Sequence, residues 1–318
     1  MKRIWAAILA LTLWAFPAAA EIDQINPYVI KADVRAYMTE TDVALYEKLL
    51  DGVFARAARV TLSDDYDANL RAFGALQGNP YYFFVDSLTF TANHSAVELT
   101  YAYTADEQAE MRAYMDGEYL EILNSAITPE MNELDEVLAV YRYFGERIEY
   151  DLDWLGALNM SDDKFLFPEI EIYQALKTGK GVCHSYSYLC EFALQQLGVE
   201  CLRVSGDIVN SDQGHMWLVL KLNGKFYHID PTWDDNGDAE GLNYFGLTDA
   251  ERATSGIGSY NLSYDGAYGE IVCDDDSFAA FRGVLNYQFV EDEPHTVLLE
   301  YGDHRAVFNT ETLAIEEE

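Results

Sequence analysis

The chain has 318 residues, 50% of them hydrophobic and 14% aromatic, enough to bury one large core or two smaller ones, so it is not a disordered polymer. A formal charge of −35 would repel a phosphate backbone and argues against nucleic acid as a partner. The same charge suits solubility outside the cell, and attraction of a cationic substrate is the competing reading.

The chain opens MKRIWAAILALTLWAFPAAAE, with Lys2 and Arg3 ahead of an apolar run over residues 4–16 and Ala18, Ala19 and Ala20 just before Glu21. This is the pattern of a secretory signal peptide, residues 1–20, with cleavage expected after Ala20. The run falls short of the ~18 to 20 residues that a spanning helix needs, so the expected product is secreted, extracellular and free of the membrane after cleavage.

Residues 21–128 read as an N-terminal α+β domain of helices and a hairpin. Val43, Tyr46, Leu49, Leu50, Val53 and Phe54 recur at helical spacing within 41–57, and Leu70, Phe73 and Ala75 suggest a second, shorter helix. The alternating runs SLTFT and VELTYAYT, joined by residues 92–95, predict a β-hairpin. A helix over about 106–127 should end at Thr128-Pro129, where Thr fits an N-cap and Pro the first position of the next helix. A domain boundary is placed there, giving a central domain over 129–249 and a C-terminal α/β extension over 250–318. The next helix carries Leu134, Val137, Leu138, Tyr141, Phe144 and Ile148 on one face and leads into YDLDW and a loop through Pro168. After Asp249 the chain loosens into ATSGIGSYN, then forms a helix near 277–285 and a hairpin across Gly302-Asp303.

The chemistry concentrates in the central domain. From Cys183 onward, Tyr186, Leu189, Cys190, Ala193, Leu194 and Leu197 form one helical stripe closed by Gly198, which puts Cys183 at a helix N-terminus. Unpaired N–H groups and the positive end of the helix dipole favour a thiolate there and can stabilise an oxyanion. Farther on, Asn223-Gly224 signals a type I′ turn whose register sets Trp217 opposite Asp230. His215 shares a face with Trp217 and so lies diagonally from Asp230, roughly 7 to 8 Å between backbones, a gap that an imidazole and a carboxylate can close. The opposite face carries Met216, Leu218, Leu220, Leu222, Tyr227 and Ile229 and is the core side.

The blocks GKGVCHSYSYLCEFALQQLGV, GHMWLVL and GKFYHIDPTWDD resemble the transglutaminase-like superfamily, whose core is shared with papain-like cysteine proteases, over about 171–235. YDLDW and YFGLTD are weaker flanking echoes. The resemblance implies a catalytic triad of Cys183, His215 and Asp230. It also implies an α+β fold in which the nucleophile helix packs on an antiparallel sheet. Ser185 departs from the small glycine that the family often has two residues after the cysteine.

Other readings of these residues are blander. Cys190 lies about 10 Å along the helix from Cys183 and cannot bond it, so Cys190 and Cys201 are core residues or a pair with each other, core being preferred. His184 points about 100° away from Cys183 and belongs at the substrate rim. His228 is the rival to His215, but no metal-ligand spacing supports a zinc site, and neither metal nor cofactor is expected. Trp217 and Trp233 are more often packing aromatics than substrate platforms, and stand as candidate substrate-binding residues on the second reading; Tyr150, Trp154 and Gln174 are candidate oxyanion donors. The expected function is a secreted thiol enzyme acting on amide bonds of peptides or proteins by acyl transfer, as a peptidase, amidase or transglutaminase. Its partner would be a peptide or protein substrate, cell-wall-linked protein included. The alternative is a catalytically idle transglutaminase-like binding module for extracellular or cell-wall protein.

Overall fold

The computed structural model describes residues 22–160, 168–211, 213–235, 237, 240–260 and 270–317, with only the backbone path for 157–160 and 168–171. The expected leader, residues 1–20, lies outside the described residues.

The N-terminal elements are α1 (Ala32–Tyr37), α2 (Glu40–Phe54), β1 (Arg59–Thr61), α3 (Tyr66–Gln77), β2 (Val85–Phe90), β3 (Ala96–Tyr101) and α4 (Ala105–Ala126). Helix α2 starts where Thr39 and Asp42 cap each other, each side chain taking the other's backbone N–H; Thr104 and Glu107 do the same for α4. The expected hairpin is β2–β3, antiparallel, with Phe90 facing Val97 beside the turn, and β1 adds to the far edge of β3.

Helix α5 (Glu133–Arg147) starts four residues after Pro129, not at it. The N-cap is Asn132, whose side chain accepts from the N–H of Asp135 at 2.9 Å while Asp135 accepts from the N–H of Asn132 at 3.0 Å. That reciprocal pair satisfies two helix-end donors, where Thr128 offered one acceptor. Next come β4 (Glu149–Tyr150), α6 (Leu152–Met160) and α7 (Pro168–Thr178). The expected loop after YDLDW is therefore partly helical, because Asp151 caps α6 by accepting from the N–H of Trp154 at 2.8 Å.

Strand β5 (Lys180–Gly181) pairs in parallel with β4 and leads into α8 (Cys183–Gln196). It is followed by β6 (Cys201–Ile208), β7 (Gly214–Leu222), β8 (Lys225–Ile229), α9 (Pro231–Asp234), β9 (Phe245–Leu247), α10 (Asp249–Thr254) and β10 (Ile257–Tyr260). These strands form an antiparallel sheet in the order β10-β6-β7-β8-β9. The stretch expected to loosen after Asp249 thus contributes an edge strand, because the buried Ile257 anchors it against β6. A separate antiparallel sheet holds β11 (Asn286–Phe289), β12 (Thr296–Glu300), β13 (Arg305–Asn309) and β14 (Ile315–Glu317), with the expected hairpin across Gly302-Asp303. The helix expected near 277–285 shrinks to a single 3₁₀ turn, Ala279–Phe281. Gly283 reverses the chain at φ +86°, and the Arg282 guanidinium is drawn onto the carbonyls of Asn243, Phe245 and Gly246.

Helix α8 lies on one face of the five-stranded sheet. Its Tyr186, Leu189, Cys190, Ala193 and Leu194 meet Leu218, Leu220, Leu222, Tyr227 and Ile229 in a core that reaches from Ile25 to Phe308. Full burial of each large apolar side chain contributes about 1.5–3 kcal/mol. The N-terminal segment joins this core directly: Tyr119 and Tyr81 pack edge-on against Phe192 of α8, with ring centroids 4.8 and 6.1 Å away. The opposite sheet face, which carries His215, has its own small cluster of Leu202, Val204, Trp217, Val219, Ile257, Ile271 and Cys273. No helix among the described residues is long and apolar enough to cross a membrane.

Candidate active site

Cys183 is the first residue of α8 and is partly exposed. The loop before it is held tight: Ser185 Oγ accepts from the N–H of Val182 at 3.2 Å, and a Cβ on Gly181 would fall 2.5 Å from that of Ser185. Ser185 is therefore buried under the loop and leaves the entrance to Cys183 and His184.

The hairpin supplies the partners. Asn223 and Gly224 both have positive φ, +50° and +78°, as a type I′ turn requires, and Leu222 pairs with Lys225, Lys221 with Phe226 and Leu218 with Ile229. This register brings His215 Nε2 to Asp230 Oδ2 at 2.6 Å, both side chains buried. Cys183 is the other group close enough to the imidazole to favour its protonated form. With Nε2 committed to the carboxylate, Nδ1 is the nitrogen left for sulfur. Burial works against a charged imidazole here, but Asp230 and then Cys183 outweigh it and hold His215 protonated up to about 9. Burial also disfavours the Asp230 carboxylate, yet His215 and Arg252 hold it below its ordinary value.

Arg252, on α10, did not stand out in the sequence. It is fully buried, and its Nη2 donates at 2.8 Å to Asp230 Oδ2, the oxygen that His215 uses. Its guanidinium carbon lies 4.2 Å from the Trp217 ring centroid and 4.6 Å from that of Trp233. Both indoles are nearly parallel to the His215 ring, Trp233 at 4.5 Å and Trp217 at 5.9 Å. No sequence signal marks Arg252, since one cation in the polar stretch DAERAT reads as solvent-facing.

The remaining candidates divide. Trp217 is fully buried and donates from Nε1 to His228 Nδ1 at 2.9 Å, so it is a core side chain and not a substrate platform. Trp233 is partly exposed and stacks on His215, but it is not among the described residues lining the cleft. His184 lines the cleft against Tyr188, and burial, helped by the nearby Arg203 and Lys31, lowers it to about 3. Tyr150 pairs with Gly181 at the foot of the nucleophile loop; burial and then the charges of Cys183 and Asp230 push its phenol up to about 12. Trp154 and Gln174 are not among the described residues lining the cleft, and Gln174 is on the exposed side of α7, because two residues, about half a helical turn, rotate it away from the core side that Ile172 and Leu176 occupy. His228 is bonded away from Cys183, with Nδ1 accepting from Trp217 and Nε2 donating to Asp249 at 3.0 Å. Cys273 lies close enough to His228 and Asp249 to suggest a metal cluster. The Trp217 bond, however, leaves the proton of a neutral His228 on Nε2, which then has no lone pair for a metal. All four cysteines are free, and Cys190, Cys201 and Cys273 are buried.

Cys183 and His215 open onto a cleft of about 580 Å³ lined also by His184, Ser205, Gly206, Asp207, Gly214, Met216, Ser259 and Tyr260. Asp207, Ser259 and Tyr260 were not foreseen, since their approach depends on β10 pairing with β6, where Ser259 Oγ donates to Asp207 at 2.6 Å.

Residues 121–231, which include Cys183, His215 and Asp230, match the family model of the transglutaminase-like superfamily. The chain carries a transglutaminase-like domain. Its similarity extends to human kyphoscoliosis peptidase, 25% identical over 123 residues, and to the mouse protein at 24%. These alignments cover 36% of this chain and 18% of the relatives, so the chain spans a small part of their length. Among solved structures, one described as a TGase aligns at TM-score 0.34 and 16% identity, covering 55% of this chain and 49% of the other. A putative cysteine protease from Cytophaga hutchinsonii aligns at TM-score 0.26 and 15% identity, covering 39% and 37%. The match stops at residue 231, so the cation on Asp230 comes from outside the matched segment.

Proposed function

We propose that the protein is a thiol acyl-transfer enzyme acting on amide bonds of peptides or proteins, with Cys183 as nucleophile, His215 as general acid and base, and Asp230 as the group that orients His215. The observation that carries the reading is that His215, bonded through Nε2 to the buried Asp230, lines the same open cleft as Cys183, whose sulfur favours the protonated imidazole. In this scheme the Cys183 thiolate attacks the amide carbonyl, and the backbone N–H groups at the start of α8 face the resulting oxyanion. His215 gives its Nδ1 proton to the leaving amine, and the C–N bond breaks to leave a thioester. Water or an amine then attacks the thioester while His215 takes back a proton, which frees the thiolate. Hydrolysis is the favoured outcome, because Cys183 is partly exposed and the cleft is open to water. Secretion and a cell-wall-linked substrate remain part of the proposal and rest on the leader-like start of the chain.

The test offers a glutamine-containing peptide mixture, with and without a small primary amine, to wild-type protein and Cys183→Ala, and reads products and adducts by mass spectrometry. Free acid with ammonia or a cleaved peptide indicates hydrolysis, and an amine conjugate indicates transamidation. Equal binding by both proteins with no adduct, on wild-type protein whose Cys183 is shown to be reduced, would establish an idle binding module instead.

A further inference from the structure

A buried arginine with one ionic partner is an expensive way to fill space. Arg252 has no exposed surface, and its Nε and Nη1 have no hydrogen-bond partner among the described residues. Unsatisfied buried donors are penalised, and a buried ion pair can often be replaced by apolar side chains without loss of stability. The slot between Trp217 and Trp233 would take a methionine with no donor left orphaned. Stability therefore does not explain the positive charge, and its single bond does indicate a role: it ends on Asp230 Oδ2, at 2.8 Å, beside His215 Nε2 at 2.6 Å on the same atom.

We infer that Arg252 is a positioning residue for the Cys183–His215 pair: it pins Asp230 Oδ2 and places a fixed positive charge behind the imidazole. This inference rests on the acyl-transfer reading above. Three constraints act on one ring. Arg252 fixes the acceptor oxygen from α10, Trp233 and Trp217 fix the ring plane, and the hairpin fixes the backbone, so Nδ1 has one direction left, toward sulfur. The charge also matters by itself. A cation a few ångströms from the pair favours loss of a proton from both members, so it keeps their working range from drifting upward.

Other groups face the same carboxylate and must be held constant. Cys183 and Tyr150 lie toward the cleft, His228 lies on β8, Asp234 on α9 and Glu240 on the segment after it. Tyr141 on α5 and Tyr244 also sense Asp230, and Asp249 bonds His228. None of these groups carries a fixed positive charge, which leaves Arg252, beside the titrating His215, as the fixed cation bonded to Asp230 among the described residues.

The experiment measures the pH profile of Cys183 alkylation by iodoacetamide, which needs no substrate, in wild-type protein, Arg252→Met and Arg252→Lys. The expected wild-type curve has two inflections, one from the thiolate and one from His215. In Arg252→Met both should move up, His215 by about two pH units, as expected for loss of a unit charge roughly 5 Å away at an effective dielectric of ~20. Arg252→Lys keeps the charge and should restore most of the shift. A loosened core would change amplitudes and melting temperature without moving both inflections together. Inflections of Arg252→Met that coincide with wild type would overturn the inference and leave the acyl-transfer reading standing. A single inflection at the ordinary cysteine value in wild type would overturn both. Should neither variant fold, the guanidinium ¹⁵N resonance of Arg252 in wild-type protein decides. It should move in step with the two inflections, and a resonance unchanged across them overturns the inference.

Discussion

Asp230→Asn removes one charge and almost no volume, and the structure sets its cost. Oδ2 accepts from His215 Nε2 at 2.6 Å and from Arg252 Nη2 at 2.8 Å, and both Asp230 and Arg252 are fully buried. An amide at that position brings one acceptor and two donor hydrogens. With its oxygen toward the two cations, the carboxylate charge is still gone. With its NH₂ toward His215, the ring must hold its proton on Nδ1, the nitrogen needed by sulfur. Turnover should fall roughly 10³- to 10⁴-fold, the scale seen when a triad carboxylate is made neutral. The sequence alone suggests that this change would spare the fold. Arg252 alters that expectation, since a buried guanidinium left without its counter-ion costs about 3–5 kcal/mol. The assay pairs peptide turnover with urea unfolding followed by circular dichroism near neutral pH. Wild-type turnover, or stability within about 0.5 kcal/mol of wild type, would refute the shared-oxygen arrangement.

Cys183 should be the most rapidly alkylated thiol of the folded protein, because Cys190, Cys201 and Cys273 are buried; peptide mapping that finds another cysteine labelled first would remove it as nucleophile. Activity should decline as pH rises through about 9, where His215 loses the proton that the leaving amine requires. Glu240→Gln should raise the melting temperature, increasingly so as pH rises from about 5 into the alkaline range. Burial lifts the Glu240 carboxyl well above its ordinary 4.5 and neither oxygen has a hydrogen-bond partner among the described residues, so the folded state holds a proton and loses stability as pH rises above the unfolded value. An unchanged difference across that range would contradict this sign. His228→Ala should lower stability by about 2–4 kcal/mol, because it opens a cavity and orphans the Trp217 N–H, while Cys183 remains alkylatable; loss of alkylation at full stability would give His228 a role in the site.

Much of the site was legible in the chain because its determinants are local. The apolar stripe after Cys183 fixes a helix start, Asn223-Gly224 fixes a register, and two-residue alternation puts His215 and Asp230 on one face; each depends only on neighbours in sequence. Where the reading missed, a local signal met a stronger one nearby, as at Asn132, whose reciprocal cap with Asp135 outcompetes Thr128, and at Asp151, which starts a helix where a loop was expected. Tertiary packing alone decided the rest. Trp217 and Trp233 carry the same side chain two and three residues from His215 and Asp230, yet one is sealed beneath β10 and the other is partly exposed against the His215 ring. Arg252 lies 22 residues beyond Asp230 on a polar helix, and its burial follows from α10 folding back over the hairpin. Hydrophobic periodicity records which side of an element meets the core, because that preference is set residue by residue. It carries no record of which distant element supplies a counter-charge, because that partner is selected only when the elements pack.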